Sequence, residues 1–313
     1  MDFNQPMCEA DGTCHEPASL PSPRTVHSAK SKAQFQQWHK FHSQLEKEAK
    51  LAAKHEVDVL FLGDSITEAF RGSSLGRSNV SRTRGSPEVL YTEFKQFPNK
   101  LVLAVSGDQT QHLLWRLHHG ELPPSLQPGL IILHIGTNNI RVGHLPEQVA
   151  EGVQQIVHFL SARCPEARIV VNGLFPFVEE EMLEKICPPR CSTEGFPFAS
   201  FKPAIGKVNH LLRDLIRRAE NPRLEFVDCS HLFFAKPHSP EVAIGSNLAA
   251  SPPAFDSPEV VRDKDSWVNQ DLMPDLLHPN AKGMQQWAQC MLFHIEKGVQ
   301  LLKASPSDAS QNS

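Results

Sequence analysis

The chain has 313 residues, a formal charge of -4 and 40% hydrophobic residues, a balance that fits one sizeable α/β domain with polar tails. That charge gives no concentrated basic face of the kind a nucleic-acid-binding domain needs. No apolar stretch approaches the ~20 residues required to cross a bilayer, and Met1-Asp-Phe-Asn-Gln-Pro-Met7 lacks the basic start and apolar centre of a secretory signal; a cytoplasmic location is the expectation.

Residues 1–30 are polar, proline-bearing and aperiodic, which predicts a disordered tail. From Ser31 the pattern changes: Phe35, Trp38, Phe41, Leu45 and Ala49 recur at three- and four-residue steps and define the buried face of a helix. An apolar run, Val57 to Leu62, then reads as a buried parallel strand. Four more apolar, β-branched runs follow at 101–105, 130–135, 168–171 and 224–227. Helical patterns separate them at 87–97, 110–119, 146–162 and 202–219, and a last helix is expected from Asn280 to about Leu302. This alternation predicts right-handed βαβ units and a three-layer α/β/α sandwich, its five-stranded parallel sheet in the flavodoxin-like order 2-1-3-4-5. The domain is expected over 31–303, with a disordered tail at 304–313. Two stretches break the repeat, 179–200 and 235–269, both proline-bearing and both leaving the carboxyl end of the sheet, where lids over a site are found; a substrate-shaping lid and disorder are the two readings of them. Arg77, Arg82 and Arg84 read as a solvated basic loop.

The seven cysteines show no dense disulfide scaffold. Cys187 and Cys191 are spaced for a local disulfide or half a metal site, but no second Cys pair or neighbouring His completes a zinc set; free thiols are the reading preferred there, and Cys8 and Cys14 are expected to carry no role. Neither a metal nor a cofactor is called for.

The chemistry begins at Gly63-Asp64-Ser65. Gly63 lets the chain turn sharply after the first strand, which places the Ser65 hydroxyl at the carboxyl end of the sheet, where open α/β folds bind ligands. Serine is a poor nucleophile without a base and a group orienting that base. Asp275 and His278 lie three residues apart, a spacing that lets the carboxylate meet Nδ1 of the imidazole and leaves Nε2 for the serine. With an ordinary pKa near ~6.5, such a base predicts activity that falls as pH drops through roughly 6 to 7. Gly107 follows the second strand and Asn138 the third, so the N–H groups of Ser65 and Gly107 and the Asn138 amide form a candidate oxyanion hole. Asp228 and His231 repeat the Asp-x-x-His spacing, but the apolar Leu-Phe-Phe after His231 argues for packing or capping.

These residues resemble the four blocks of the SGNH (GDSL-type) hydrolase superfamily: Gly63-Asp-Ser65, Ser106-Gly-Asp108, Gly136-Thr-Asn-Asn139 and Asp275-x-x-His278. Within it, Asp58 to Ser65, Gly107 to Leu117 and Gly136 to Asn139 are similar to the catalytic subunits of intracellular platelet-activating factor acetylhydrolase. The resemblance implies Ser65 as nucleophile, His278 as base, Asp275 as its partner, and Ser65, Gly107 and Asn138 as oxyanion donors. It leaves Asp64 as a structural hydrogen-bonder and implies pairing into homodimers or heterodimers. The function expected is a serine esterase removing a short acyl group, acetyl above all, from a small-molecule or lipid ester. A carbohydrate O-acetylesterase or longer-chain lipase with the same triad, and a silent scaffold of the same fold, are the alternatives.

Overall fold

The computed structural model describes residues 7–25, 28, 29, 31–235 and 267–304. Its main sheet has five strands: β1 (Val59–Gly63), β2 (Lys100–Ala104), β3 (Leu130–His134), β4 (Arg168–Asn172) and β5 (Leu224–Val227). All neighbours are parallel and the order is β2-β1-β3-β4-β5, which is the expected topology. Side chains alternate across the sheet, as strand geometry requires. Leu60, Leu62, Leu103, Ile131, Leu133, Ile169 and Val171 pack on one face, and Val59, Phe61, Val102, Ile132 and Val170 on the other. Both faces are apolar because both are covered, which is why each strand reads as a continuous hydrophobic run.

The first face is covered by the helices Lys32–Ala52, Thr110–Arg116, Pro146–Arg163 and Lys202–Arg218, and the second by Ser86–Glu93 and Ala281–Ala304. Ser31 caps the first helix by accepting from Gln34 N–H at 3.2 Å, and Asn280 caps the last by accepting from Gly283 N–H at 3.0 Å. The segment expected as a helix over 87–97 is helical over Ser86–Glu93, and the one expected over 110–119 is α-helical over Thr110–Arg116 before a wider turn at Leu117–Glu121. Trp287 in the last helix is fully buried and stacks on Phe70 at 5.6 Å; truncating such an aromatic costs about 3–5 kcal/mol.

Register decides where the site lies. Gly63 is level with Ala104 on one side and His134 on the other, so β1, β2 and β3 end together. The loops carrying Ser65, Gly107 and Asn138 therefore leave one edge side by side.

Four sequence expectations are corrected. Residues 7–25 are not a disordered tail: Thr110 Oγ1 donates to Ala18 O at 2.8 Å, Ser22 N–H donates to Gln111 O at 3.2 Å, and Arg24 and Glu16 are buried. Isolated polar anchors hold this segment, and such anchors leave no periodic trace in a sequence. Cys187 and Cys191 are not free thiols but a disulfide, and Cys8 and Cys14 form another, with a third joining Cys229 to Cys290. Local pairs at such short separations close only small loops and need no dense framework. Arg82 is half-buried rather than solvated, because its side chain turns back to Ser73 and Ser106. The insertion expected at 179–200 contains a short helix, Glu180–Lys185, followed by the second disulfide. Of the insertion expected at 235–269, residues 236–266 lie outside the described residues, as do 305–313 of the expected C-terminal tail. Among the described residues no helix is long and apolar enough to cross a membrane.

Candidate active site

β1 delivers its last residue into a turn that admits no side chain. A Cβ at Gly63 would collide with Thr67 Oγ1 and His134 O, so glycine is required by close approach. Asp64 then caps the short helix Ser65–Glu68 by accepting from Ile66 N–H at 3.0 Å. This cap holds Ser65 at a helix N-terminus, where the positive end of the peptide dipoles favours developing negative charge.

Ser65 Oγ lies 2.9 Å from His278 Nε2, and His278 Nδ1 lies 2.7 Å from Asp275 Oδ2. The three residues singled out in the sequence are therefore brought together across 213 residues of chain. The Asp275–His278 turn is self-organising: Asp275 Oδ1 accepts the backbone N–H of His278 at 2.7 Å and of Leu277 at 3.1 Å. Leu276 between them has φ 61°, a left-handed conformation disfavoured for a branched side chain. Its carbonyl accepts from Val178 N–H at 3.0 Å, which pins the turn to the loop after β4. Burial alone would raise the Asp275 carboxyl, but the hydrogen bond and charge of His278, with the two backbone N–H groups, hold it at about 2.

The other half of the site is built from the ends of β2 and β3. Gly107 has φ 81°, and a Cβ there would stand 2.8 Å from Arg24 Nη2. Asn138 lies in the first turn of the helix Thr137–Arg141, and its amide nitrogen donates to Asp108 O at 2.9 Å and, more weakly, to Asp64 Oδ2 at 3.4 Å. Asn138 thus ties the β1 turn to the β2 turn. Desolvation, reinforced by the negative charge of Asp108, pushes the fully buried Asp64 carboxyl up to about 7. A carboxyl poised there costs less to bury than one forced to stay ionised.

Several supporting residues were not singled out in the sequence. Glu68 is buried and accepts five hydrogen bonds, from Ser73 Oγ, Leu75 N, Gly76 N, Ser106 N and Ser106 Oγ, all between 2.6 and 3.0 Å. It fixes the backbone immediately before Gly107. Asp108 accepts from Trp38 Nε1 at 2.6 Å, Arg116 Nε at 2.7 Å and Arg24 Nη2 at 3.4 Å. Arg24 Nη2 also donates to Ser106 O at 3.1 Å. Arg116 continues the network to Glu121, which meets His42 Nδ1 at 2.8 Å. Glu16 sits against His112 Nε2 at 2.7 Å; its burial opposes ionisation, yet the hydrogen bond and charge of His112, with Thr25 and Ser28, hold it at about 2. The one signal that could have exposed this network is the indole of Trp38. A buried Trp N–H needs an acceptor, and here it is Asp108, 70 residues along the chain.

Asp228 and His231 do not join the site. His231 is exposed and its ring meets Asp228 O at 3.2 Å, while the Asp228 carboxylate engages Ser230 and Arg213.

A family profile for GDSL-like lipases/acylhydrolases matches residues 61–286. The platelet-activating factor acetylhydrolase IB subunit alpha1 of Bos taurus is 36% identical over 121 residues, 39% of this chain and 44% of that protein. The alpha2 subunit of Gallus gallus is 32% identical over 173 residues, 55% of this chain and 60% of that protein. The chain thus spans about half the length of the curated relatives it matches. A structure from Streptococcus pneumonia, described as a candidate platelet activating factor, superposes with a TM-score of 0.54 at 17% identity, over 83% of this chain and 94% of that one; it supports the fold. The matched region begins within β1, ends in the second turn of the last helix and takes in both Ser65 and the Asp275–His278 turn. The chain belongs to the GDSL-like lipase/acylhydrolase family.

Proposed function

We propose that the protein is a serine esterase that removes a short acyl group, acetyl above all, through an acyl-Ser65 intermediate. The observation carrying this reading is the continuous contact from Ser65 Oγ to His278 Nε2 at 2.9 Å and from His278 Nδ1 to Asp275 Oδ2 at 2.7 Å. In the proposed reaction His278 takes the Ser65 proton as Oγ attacks the ester carbonyl. The imidazolium then protonates the departing alkoxide. In the second half His278 deprotonates a water that attacks the acyl carbonyl and returns the proton to Ser65. An Asp275 carboxylate held at about 2 stays ionised through the working pH range and stabilises the imidazolium at each step.

The developing oxyanion would be met by the N–H groups of Ser65 and Gly107 and by the Asn138 amide. The 3.4 Å contact of Asn138 to Asp64 is the weaker of its two, and it is the one a substrate oxygen would replace. The acetyl preference is supported by the relatives' description as platelet-activating factor acetylhydrolase subunits. A lipid ester as substrate and pairing with a second catalytic chain belong to the same proposal. The three disulfides weigh against the reducing cytoplasm expected from the sequence.

The test is Ser65→Ala assayed on p-nitrophenyl acetate. A drop in kcat on the order of 10⁵- to 10⁶-fold is expected, with one-to-one capture of the wild type by a fluorophosphonate at Ser65. A variant that keeps most of its rate would refute the assignment.

A further inference from the structure

The hairpin Ser73–Ser74/Arg77–Ser78 and the turn after it carry Arg82 back to the same sheet edge as Ser65. Arg82 Nη2 donates to Ser73 O at 3.2 Å and to Ser106 Oγ at 3.3 Å, and Ser106 is the residue before the Gly107 turn. The remaining donors are not used in this way. Nε is buried without a hydrogen-bond partner, and among the described residues no carboxylate lies within ion-pair distance of the guanidinium. Three other partly buried arginines, Arg71, Arg141 and Arg168, each sit against a glutamate.

The acids nearest to Arg82 are already engaged. Both Glu68 oxygens accept donors from the 73–76 and 106 backbone and side chains. Asp275 is committed to His278 and Leu277, and Asp64 to Ile66 and Asn138. The contact with Ser106 Oγ sets the guanidinium at the turn before Gly107, where the charges of Glu68, Asp275 and Asp64 all act on it. A partly desolvated guanidinium without a carboxylate partner is suited to a planar or tetrahedral oxyanion. Nη1 is the donor left for it, since Nη2 is engaged and Nε is enclosed.

We propose that Arg82, braced by Ser73 and Ser106, is an anion subsite beside Ser65, so that the substrate is an ester bearing a phosphate or carboxylate group a few bonds from the scissile carbonyl. The inference rests on the reading of Ser65 as nucleophile. Arg82 binds the anionic group of the leaving alcohol and thereby orients the ester carbonyl toward the Gly107 and Asn138 side, leaving the acyl portion to the other wall. The same chemistry fits a soluble phosphate ester and the phosphate of a lipid headgroup.

Hydrolysis of phenyl acetate, 3-acetoxybenzoate, 3-acetoxyphenyl phosphate and a micellar 2-acetyl glycerophospholipid by wild type, Arg82→Gln and Arg82→Lys tests it. Arg82→Gln should lower the anionic-to-neutral ratio of kcat/KM by about 10- to 100-fold, chiefly through KM, with partial recovery in Arg82→Lys. Inorganic phosphate should inhibit the wild type competitively on the anionic esters. Whether the soluble phosphate ester or the phospholipid shows the larger change identifies the source of the anion. An equal loss on charged and neutral esters, or an unchanged ratio, overturns the subsite. Should Arg82→Gln not fold, absence of phosphate inhibition in the wild type overturns it instead. Failure of the underlying reading shows separately, as phenyl acetate hydrolysis surviving in Ser65→Ala.

Discussion

The two halves of the site are held by opposite means. The Asp275–His278 half is a short exposed turn: the Asp275 side chain is half exposed, and its order comes from backbone N–H groups donating to one carboxylate. The Gly107 half lies over a buried charge network, Arg24–Asp108–Arg116–Glu121, whose side chains are all at most 1% exposed. A local turn can be perturbed at little cost to the fold, because exposed ion pairs contribute under about 1 kcal/mol. A buried network cannot, since removing one member leaves the others desolvated and unpaired. Function should therefore concentrate its sensitivity in the first region and stability in the second.

The sharpest way to break that contrast is His278→Ala. The expected loss in kcat on p-nitrophenyl acetate is on the order of 10⁵-fold or more, with unfolding stability lowered by less than about 1 kcal/mol. A large drop in the denaturant midpoint alongside the rate loss would show that the turn is structural after all.

Arg24→Gln probes the opposite region. Loss of its contacts to Asp108 and Ser106 O should cost on the order of 3 kcal/mol. That corresponds to a thermal midpoint lower by roughly 6–12 °C for a domain of this size. The Gly107 turn should loosen with it, giving a modest fall in kcat. An unchanged midpoint would mean that the 7–25 segment is dispensable.

A pH-dependent effect, read in stability rather than in activity at fixed pH, sharpens the comparison further. Asp64 titrates at about 7 in the fold, against 3.8 in the unfolded chain. The folded state therefore holds this proton more tightly, and the resulting stability is complete below pH ~4 and is lost as pH rises toward 7. Asp64→Asn should remove that component, so its stability relative to wild type should improve between pH 4 and 8 by up to a few kcal/mol. Parallel pH profiles for the two proteins in urea unfolding would rule the titration out. Glu16 runs the other way. Held at about 2 against 4.5, it supports the fold above pH ~4.5 and withdraws that support as pH falls toward 2.

Much of this molecule was legible before any coordinates. The strand at 224–227 was placed to the residue, and the helices at 146–162 and 202–219 to within one, because buried strands and amphipathic helices write their periods directly into the order of apolar residues. Ser65, Gly107, Asn138, Asp275 and His278 were chosen because each follows or leads an element whose end could be placed. The network beneath Gly107 escaped notice for the opposite reason. Arg24 and Glu16 sit in an aperiodic segment, and their partners Asp108 and His112 lie 84 and 96 residues away. Arg82 was read as a solvated basic residue, since charge alone does not say which way a side chain turns.

What the amino-acid order settled by itself was the alternation of strand and helix, the strand order and the identity of the residues at the strand ends, since local sterics and hydrophobic period act over a few neighbours. Only the folded chain decided which distant groups meet: that a proline-bearing N-terminal segment would bury an arginine against the Gly107 turn, that six cysteines would pair, and that Arg82 would turn back to Ser73 and Ser106. Those outcomes depend on electrostatic pairing and desolvation in three dimensions, which no pattern along one dimension encodes.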